Sequence, residues 1–136
     1  MDYLNAFLAE RHVQFFSGKE IAQRRVPPRE LWPNIVPTLW FAQELRKAFG
    51  PTVVGSGYRD PGHNASVGGA PDSLHLYFNA LDLTPATGTP EDWGLFLMAR
   101  GLARFGGCGV YSNANFVHVD TRGLVFGRMP WLSWEE

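Results

Sequence analysis

The amino-acid sequence predicts an α+β fold, with a central antiparallel sheet flanked by helices. Apolar residues recur at helical spacing in one long segment, and short extended runs lie elsewhere in the chain. The last two runs are separated by a turn-like segment, which indicates a hairpin. A chain of 136 residues suits one hydrophobic core, so we expect a single domain over residues 1–136, with core motifs at about 15–122.

Two helices are predicted. The first covers residues 33–49, with Pro37 in the first turn, where a missing amide hydrogen is tolerated, and Gly50 at its end. The apolar positions that recur in it are Ile35, Val36, Leu39, Trp40, Ala42, Leu45 and Phe49. The second helix begins after the capping residue Thr89 and ends near position 105.

Short extended runs predict the strands of the sheet. They cover residues 52–58, 76–83, 109–112 and 116–121. The segment Asn113-Ala114-Asn115 between the last two is typical of a turn, so these strands form an antiparallel hairpin. The order is helix, strand, long loop, strand, helix and hairpin, which is an α+β arrangement.

Composition and charge exclude several classes of function. Twelve Lys and Arg against 13 Asp and Glu give a net charge of −1, so we expect no nucleic-acid partner. No apolar run approaches the roughly 20 residues of a membrane-spanning helix, so we expect no membrane insertion. Because Cys108 is the only cysteine, the ligands of a metal site must come from carboxylates and from the four histidines of the chain.

Polar side chains interrupt two apolar strands, and these side chains are candidates for chemistry. His75 and Asp82 lie in one of them, and the alternation in Phe116-Val117-His118-Val119-Asp120 puts His118 and Asp120 on one face of the other. Two imidazoles with one or two carboxylates are the ligand set of a catalytic zinc. The alternative is that each histidine is a hydrogen-bonded core residue.

The spacing of His75 and Asp82 requires an irregular backbone between them. They are seven positions apart, and an odd spacing in a regular strand points side chains to opposite faces. A bulge or turn must therefore separate them. We expect it at residues 77–79, because Asn79 tolerates unusual backbone angles.

The segment around these two residues resembles the signature of a known enzyme family. Ser73-x-His75-x6-Asp82, with Ala80 two positions before the aspartate, is similar to the S-x-H-x-x-G-x-A-x-D pattern of the zinc D-alanyl-D-alanine carboxypeptidases and L-alanyl-D-glutamate endopeptidases. That family shares its fold with the hedgehog signalling domain. The resemblance therefore implies a hedgehog-like α+β fold.

Further motifs in the same order extend the resemblance. Residues 56–70, SGYRDPGHNASVGGA, resemble the family's S-x-Y-R-s-p-x-x-N-x-x-V-G-G-A segment. Residues 107–111, GCGVY, and residues 116–120, FVHVD, resemble its G-x-G-x-Y and F-V-H-x-D pair. The match runs from about residue 15 to residue 122, which is nearly the whole chain.

The resemblance implies a zinc site and assigns its residues. The zinc ligands it implies are His75, Asp82 and His118. Arg59 would be both catalytic and substrate-binding and would face the carboxylate or carbonyl oxygen of the substrate, and Ser73 would support the site and bind the substrate. Tyr111 is placed to hydrogen-bond near the metal and substrate, with core packing as the alternative.

Two positions depart from the family pattern. Phe78 stands where the signature has glycine, so the turn must form without the freedom of glycine. Asn115 stands where the better-studied carboxypeptidases have a catalytic acid, and an amide cannot take a proton from water. We therefore predict Asp120 as the general base, with an orienting role as the alternative. Asp60 and Asp72 are the other candidates.

Three more residues have two interpretations each. Trp131 and Trp134 indicate packing over the core, with sugar stacking as the alternative. His63 lies in a loop that belongs to one of the motifs, where it either lines the cleft or is exposed to solvent.

The sequence therefore predicts a zinc metallopeptidase that hydrolyses peptidoglycan stem peptides or cross-links, as a carboxypeptidase or an endopeptidase. The rival hypotheses are a non-catalytic zinc-containing binding module for peptidoglycan or protein, which Asn115 favours, and a metal-free structural domain. The first residues lack the basic region of a secretory signal. We expect a monomeric phage or prophage endolysin, released from the host cytoplasm to the cell wall, or a virion-associated enzyme.

Overall fold

A five-stranded sheet organises the protein in the computed structural model, which describes residues 2–135. Its strands are β1 (Thr52–Ser56), β2 (Ala80–Pro85), β3 (Gly107–Tyr111), β4 (Phe116–Asp120) and β5 (Trp131–Glu135). The helices are α1 (Asp2–Glu10), α2 (Gly18–Ala22), α3 (Val36–Phe49), α4 (Pro61–Ser66), α5 (Pro90–Ala99), α6 (Leu102–Phe105), α7 (Arg122–Phe126) and the 3₁₀ helix Arg29–Ile35. The predicted α+β class is confirmed.

The sheet has the order β1-β2-β4-β3-β5. The neighbours among the first four strands pair antiparallel, and β3 and β4 form the predicted hairpin. The edge strand β5 pairs parallel to β3, so the prediction of an antiparallel sheet is wrong for this strand. Its sequence, Trp-Leu-Ser-Trp-Glu, lacks the regular alternation of polar and apolar residues that would have indicated a strand.

Both predicted helices exist, and each is divided. The first consists of the 3₁₀ helix and then α3, which has Pro37 in its first turn as predicted. The second begins with a capping box between Thr89 and Asp92, and Gly101 at φ 88° separates α5 from α6. A glycine takes this left-handed conformation without steric cost, which explains the break. The spacing of apolar residues did not predict the N-terminal helices α1 and α2, because both are short.

The predicted irregularity between His75 and Asp82 is confirmed. Residues 74–78 form consecutive turns, and the strand that was expected from residue 76 begins only at Ala80. The residue in the left-handed conformation is Phe78, at φ 54°, rather than Asn79. Its ring is fully buried and packs edge-on against another aromatic ring, so burial of the ring offsets the backbone strain.

Asn79 anchors the turn to the rest of the fold through buried hydrogen bonds. Its side-chain amide nitrogen donates to the backbone carbonyl of Asn34 at 2.8 Å and to the Thr121 hydroxyl at 2.9 Å. Its backbone carbonyl accepts from the Thr38 hydroxyl at 2.7 Å. The turn before β2 is thereby tied to α3 and to the end of β4. Such a satisfied network fixes the position of the segment that carries His75.

The hydrophobic core lies between the helices and one face of the sheet. From β2 and β4 it includes Leu81, Leu83, Val117 and Val119, all fully buried. Because side chains alternate along a strand, the residues between them point to the opposite face. No helix among residues 2–135 is long and apolar enough to cross a membrane.

Candidate metal centre

The side chains of Asp82 and His118 meet on the face of the sheet opposite to the core. The two residues are direct partners in the register of β2 and β4. Asp82 Oδ1 lies 3.0 Å from His118 Nδ1. Regular strand pairing therefore sets this half of the site.

The turn before β2 brings His75 to the same point. Its Nε2 lies 3.4 Å from Asp82 Oδ1, and its ring centroid lies 5.4 Å from that of His118. One ligand atom from each of the three residues lies within 4.8 Å of the other two. The structure thus brings the predicted ligand set together around a space that one metal ion can occupy.

Each histidine has a second hydrogen-bond partner that fixes the orientation of its ring. His75 Nδ1 lies 2.7 Å from the carbonyl oxygen of Gly57, and His118 Nε2 lies 2.7 Å from Asp120 Oδ2. Since a carbonyl or carboxylate oxygen can only accept, these nitrogens donate. When an imidazole is neutral, its other ring nitrogen keeps a lone pair that a metal ion can accept; when the imidazole is protonated, that nitrogen can donate to Asp82 instead.

Asp120 lies behind His118 and is completely buried. Its Oδ1 accepts from the amides of Gly107 at 2.9 Å and Arg122 at 3.0 Å and from Arg122 Nε at 2.9 Å. Its Oδ2 accepts from Arg122 Nη2 at 2.7 Å and from His118. Both carboxylate oxygens are therefore occupied within the protein, and Asp120 does not line the cleft.

Burial and hydrogen bonds shift the pKa values of this cluster in different directions. Burial lowers the pKa of His75. Burial alone would raise the pKa of Asp82, but hydrogen bonds from His118 and His75 hold it well below its usual range. Burial also acts to lower the pKa of His118, yet the hydrogen bonds to Asp120 and Asp82 outweigh it and raise that pKa to about 9. A cation is therefore favoured beside Asp82, either as a proton on His118 or as a metal ion.

The donor set fits zinc. Two imidazole nitrogens and a carboxylate oxygen are borderline and hard ligands of the types that zinc accepts, and catalytic zinc sites use three protein ligands. Cys108 contributes no thiolate, because burial and then the charge of Asp120 raise its pKa to about 12. The site therefore has the ligand chemistry that the composition required.

Comparison with known proteins gives the same family as the motifs. Residues 12–120 match the model of the peptidase M15 family. The chain belongs to the peptidase M15 family. The zinc D-Ala-D-Ala carboxypeptidase of Streptomyces albus G is 42% identical to it over 52 residues, which are 37% of this chain and 20% of that protein. The matched part thus spans about a fifth of the length of this relative.

In this M15 family member the three candidate ligands open into a cleft of about 360 Å³. Three of its other lining residues are Arg59, Ser73 and Tyr111, which the sequence had assigned to the substrate. Tyr111 stacks on Phe116 with ring centroids 4.5 Å apart. Ser73 Oγ accepts the backbone amide of His75 at 3.3 Å, so it supports the turn that carries this ligand.

Arg59 is held at the edge of the ligand set. Its amide donates to the carbonyl of His75 at 3.0 Å. Its guanidinium donates to Ser56 Oγ at 3.1 Å and Asn64 Oδ1 at 3.3 Å, and its Nη2 lies 3.7 Å from Asp82 Oδ2. The guanidinium is thus oriented by neutral partners and by the outer oxygen of one candidate ligand.

Several other residues singled out from the sequence lie away from the cleft. Asn115 is exposed at the hairpin turn at φ 59°, and Asp60 caps α4 by accepting the amide of His63 at 3.0 Å. His63 itself contacts Arg24, with 2.6 Å between His63 Nδ1 and Arg24 Nη1. Of the alternative bases, Asp72 is the one that lines the cleft.

Three residues that follow the last motif line the cleft and were not assigned to it from the sequence. Trp131 lies with its ring centroid 5.7 Å from that of His118, so the expectation that it packs over the core is wrong. Arg122 and Arg128 also line the cleft. They follow the last motif and have no spacing signal of their own, and Trp131 reaches the cleft only because β5 pairs with β3.

Proposed function

We propose that this protein is a zinc-dependent peptidase that hydrolyses peptide bonds of peptidoglycan stem peptides or their cross-links. The observation that carries the proposal is the set of donor atoms from His75, Asp82 and His118, within 4.8 Å of one another at the cleft. Membership of the M15 family supports a metallopeptidase. The partial match to a zinc D-Ala-D-Ala carboxypeptidase supports both the metal and the class of substrate.

In this proposal His75, Asp82 and His118 would hold zinc, since His75 Nε2 and His118 Nδ1 are the ring nitrogens that face Asp82. Zinc, when bound, supplies a Lewis acid that polarises a carbonyl group and makes water more acidic. The Gly57 carbonyl and the Asp120 carboxylate keep the two imidazole rings in the orientation that ligation needs.

Arg59 stabilises the negative charge that develops on the oxygen of the scissile carbonyl. Its guanidinium lines the cleft beside Asp82, and Ser56 and Asn64 hold it in place. A donor oriented in advance toward developing charge stabilises the transition state more than a mobile side chain does.

Asp120 is better suited to orient His118 than to act as the base. Its carboxylate is fully buried and accepts hydrogen bonds on both oxygens, so it has no access to a water molecule in the cleft. We assign proton transfer to Asp72 instead. Its side chain is exposed at the cleft, and no hydrogen bond among residues 2–135 engages its carboxylate.

A non-catalytic binding module is the second candidate function. The observation that favours it is Asn115, because an amide stands where the better-studied carboxypeptidases have their catalytic acid. Asp72 distinguishes the two candidate functions, because a peptidase needs a proton acceptor in the cleft and a binding module does not.

The test is incubation of the zinc-loaded protein with purified muropeptides, with and without chelator, and identification of the fragments by mass spectrometry. We expect fragments that the chelator abolishes. Asp72→Asn should lose turnover and keep its zinc, whereas the matched control Asp60→Asn, outside the cleft, should keep turnover within about twofold. Zinc binding without fragments would overturn the enzyme and favour the binding module.

A further inference from the structure

Three guanidinium groups line the cleft, and they differ in their partners. Those of Arg59 and Arg122 are engaged by the protein itself, the first by Ser56, Asn64 and Asp82, and the second by both oxygens of Asp120. Neither is available for a bidentate contact with a ligand unless it gives up a partner.

Arg128 is different. It lies in the segment between α7 and β5, and among residues 2–135 no carboxylate forms an ion pair with it. Within the described part of the chain, its guanidinium donates one hydrogen bond, from Nη1 to the backbone carbonyl oxygen of Asp72 at a long 3.4 Å. The guanidinium lies 5.8 Å from the ring centroid of Tyr77 and 5.6 Å from that of Phe126.

The backbone holds this arginine over the cleft. Gly127, at φ 65°, ends α7, and the amide of Arg128 then donates to the carbonyl of Arg122 at 3.2 Å. Arg122 is bound to Asp120, which is bound in turn to His118. The position of Arg128 is therefore linked to the candidate metal ligands through a short chain of hydrogen bonds.

A half-buried guanidinium above aromatic rings, with no counter-charge, is an anion receptor. The rings restrict its motion, and the fork of N–H donors matches the two oxygens of a carboxylate. A carboxylate at this point would also balance the positive charge in a cleft whose own carboxylates are Asp72 and the ligand Asp82. The site therefore selects for an acidic group on the substrate.

We propose that Arg128 binds a substrate carboxylate outside the scissile bond and makes the enzyme selective for anionic stem peptides. The proposal rests on the function proposed above. Stem peptides offer this chemistry in two places, the C-terminal carboxylate of the last D-alanine and the α-carboxylate of the γ-linked D-glutamate. The recognised group is a carboxylate in both cases. Arg59 then acts at the carbonyl group of the scissile bond.

The test uses the pentapeptide L-Ala-γ-D-Glu-L-Lys-D-Ala-D-Ala and two analogues, one with a C-terminal carboxamide and one with D-isoglutamine. Arg128→Gln should lower kcat/KM for the unmodified peptide by about tenfold or more and should leave it unchanged for the analogue that lacks the recognised carboxylate. The analogue that shows no effect names the source of the carboxylate. Arg128→Lys should restore part of the activity.

The matched control is Arg100→Gln, since Arg100 lies over the ring of Phe96 at 4.6 Å and does not line the cleft. It should cleave all three peptides like the wild type. An equal loss on all three peptides for Arg128→Gln would assign Arg128 a structural role, and no loss on any would deny it a role. Either result would overturn the proposal.

Titration calorimetry separates this proposal from the proposed function. If the wild type cleaves neither these peptides nor the purified muropeptides, the proposed function fails, and binding then decides the role of Arg128. Tighter binding of the unmodified peptide than of one analogue, lost in Arg128→Gln, would support the carboxylate site. Equal affinity of the wild type for all three peptides would overturn it.

Discussion

The two histidines of the candidate metal centre have the same task and different surroundings. His75 lies in a turn, and its second nitrogen donates to a backbone carbonyl, that of Gly57. His118 lies in a regular strand, and its second nitrogen donates to the side chain of Asp120. Burial lowers the pKa of His75, whereas for His118 the hydrogen bonds to Asp120 and Asp82 outweigh the effect of burial and raise the pKa to about 9.

The difference shows two ways of fixing the orientation of a metal-binding histidine. On the His75 side the backbone itself provides the partner, so the site depends on the path of the chain through Gly57 and Phe78. On the His118 side a buried carboxylate provides it, so that half depends on the pairing of Asp120 with Arg122. Substitutions in the first half should destabilise the fold most and disturb the site with it, whereas those in the second should weaken metal binding with a smaller loss of stability.

The largest effect is expected from Gly57→Ala. A Cβ at this position would lie 2.0 Å from the carbonyl oxygen of Ile21, so the backbone that binds His75 must move. We expect a loss of about 3 kcal/mol in the free energy of unfolding, measured by chemical denaturation, together with loss of bound zinc.

The matched control is Gly55→Ala, two residues earlier. Its Cβ would lie 3.8 Å from the nearest atom, the carbonyl oxygen of Asp82, which is an ordinary contact. The change should stay within about 0.5 kcal/mol, with zinc retained. Equal stability of the two variants would contradict the dependence of His75 on the path of the chain.

Asp120→Asn tests the other half of the comparison. The amide removes the negative charge of the carboxylate that Arg122 and His118 both contact. We therefore expect a loss of about 2 kcal/mol in the free energy of unfolding. We also expect the affinity for zinc to be about 30-fold weaker, within a range of 10- to 100-fold. Denaturation and competition with a zinc indicator measure the two. Glu44→Gln, which breaks an exposed pair with Lys47, is the control and should change neither. Unchanged zinc affinity in Asp120→Asn would refute its orienting role.

A smaller difference is expected between Phe78→Ala and Phe78→Gly. Both variants lose the buried ring, but only glycine relieves the left-handed backbone at φ 54°. The glycine variant should therefore be more stable than the alanine variant by about 1 kcal/mol in thermal or chemical unfolding. If alanine is the more stable of the two, the turn before β2 does not hold its residue in this conformation.

The smallest effect concerns Cys108, which pairs with Val119 in the strand next to His118. Burial and then the charge of Asp120 raise the pKa of its thiol to about 12. The thiolate is the reactive form, so alkylation by iodoacetamide at pH 8 should be very slow in the native protein and fast after denaturation. Rapid labelling of the native protein would show that Asp120 and its surroundings are open to solvent.

The sequence was sufficient for the half of the site that obeys strand geometry. Alternation along β4 put His118 and Asp120 on one face, and the pairing of Asp82 with His118 follows from ordinary antiparallel register. The odd spacing of His75 and Asp82 also predicted a turn, and residues 74–78 form it. In these segments local rules and the family motifs agree.

The rest depends on contacts between distant segments. No local pattern indicates that Arg122 occupies both oxygens of Asp120, which is what removes this carboxylate from the cleft. Trp131 and Arg128 reach the cleft only because α7 reverses the chain and β5 adds to β3 in parallel. Phe78 takes a conformation that its side chain disfavours, because the core accepts the ring.

The measurement that bears most directly on the metal centre is zinc X-ray absorption spectroscopy of the loaded protein and of His118→Ala. We expect the wild type to bind one zinc per chain. The coordinating atoms should be two imidazole nitrogens and carboxylate oxygen, with no sulfur. His118→Ala should show one imidazole fewer, with weaker binding. A sulfur ligand, or a spectrum unchanged in His118→Ala, would contradict the assignment of His75, Asp82 and His118 as the metal ligands.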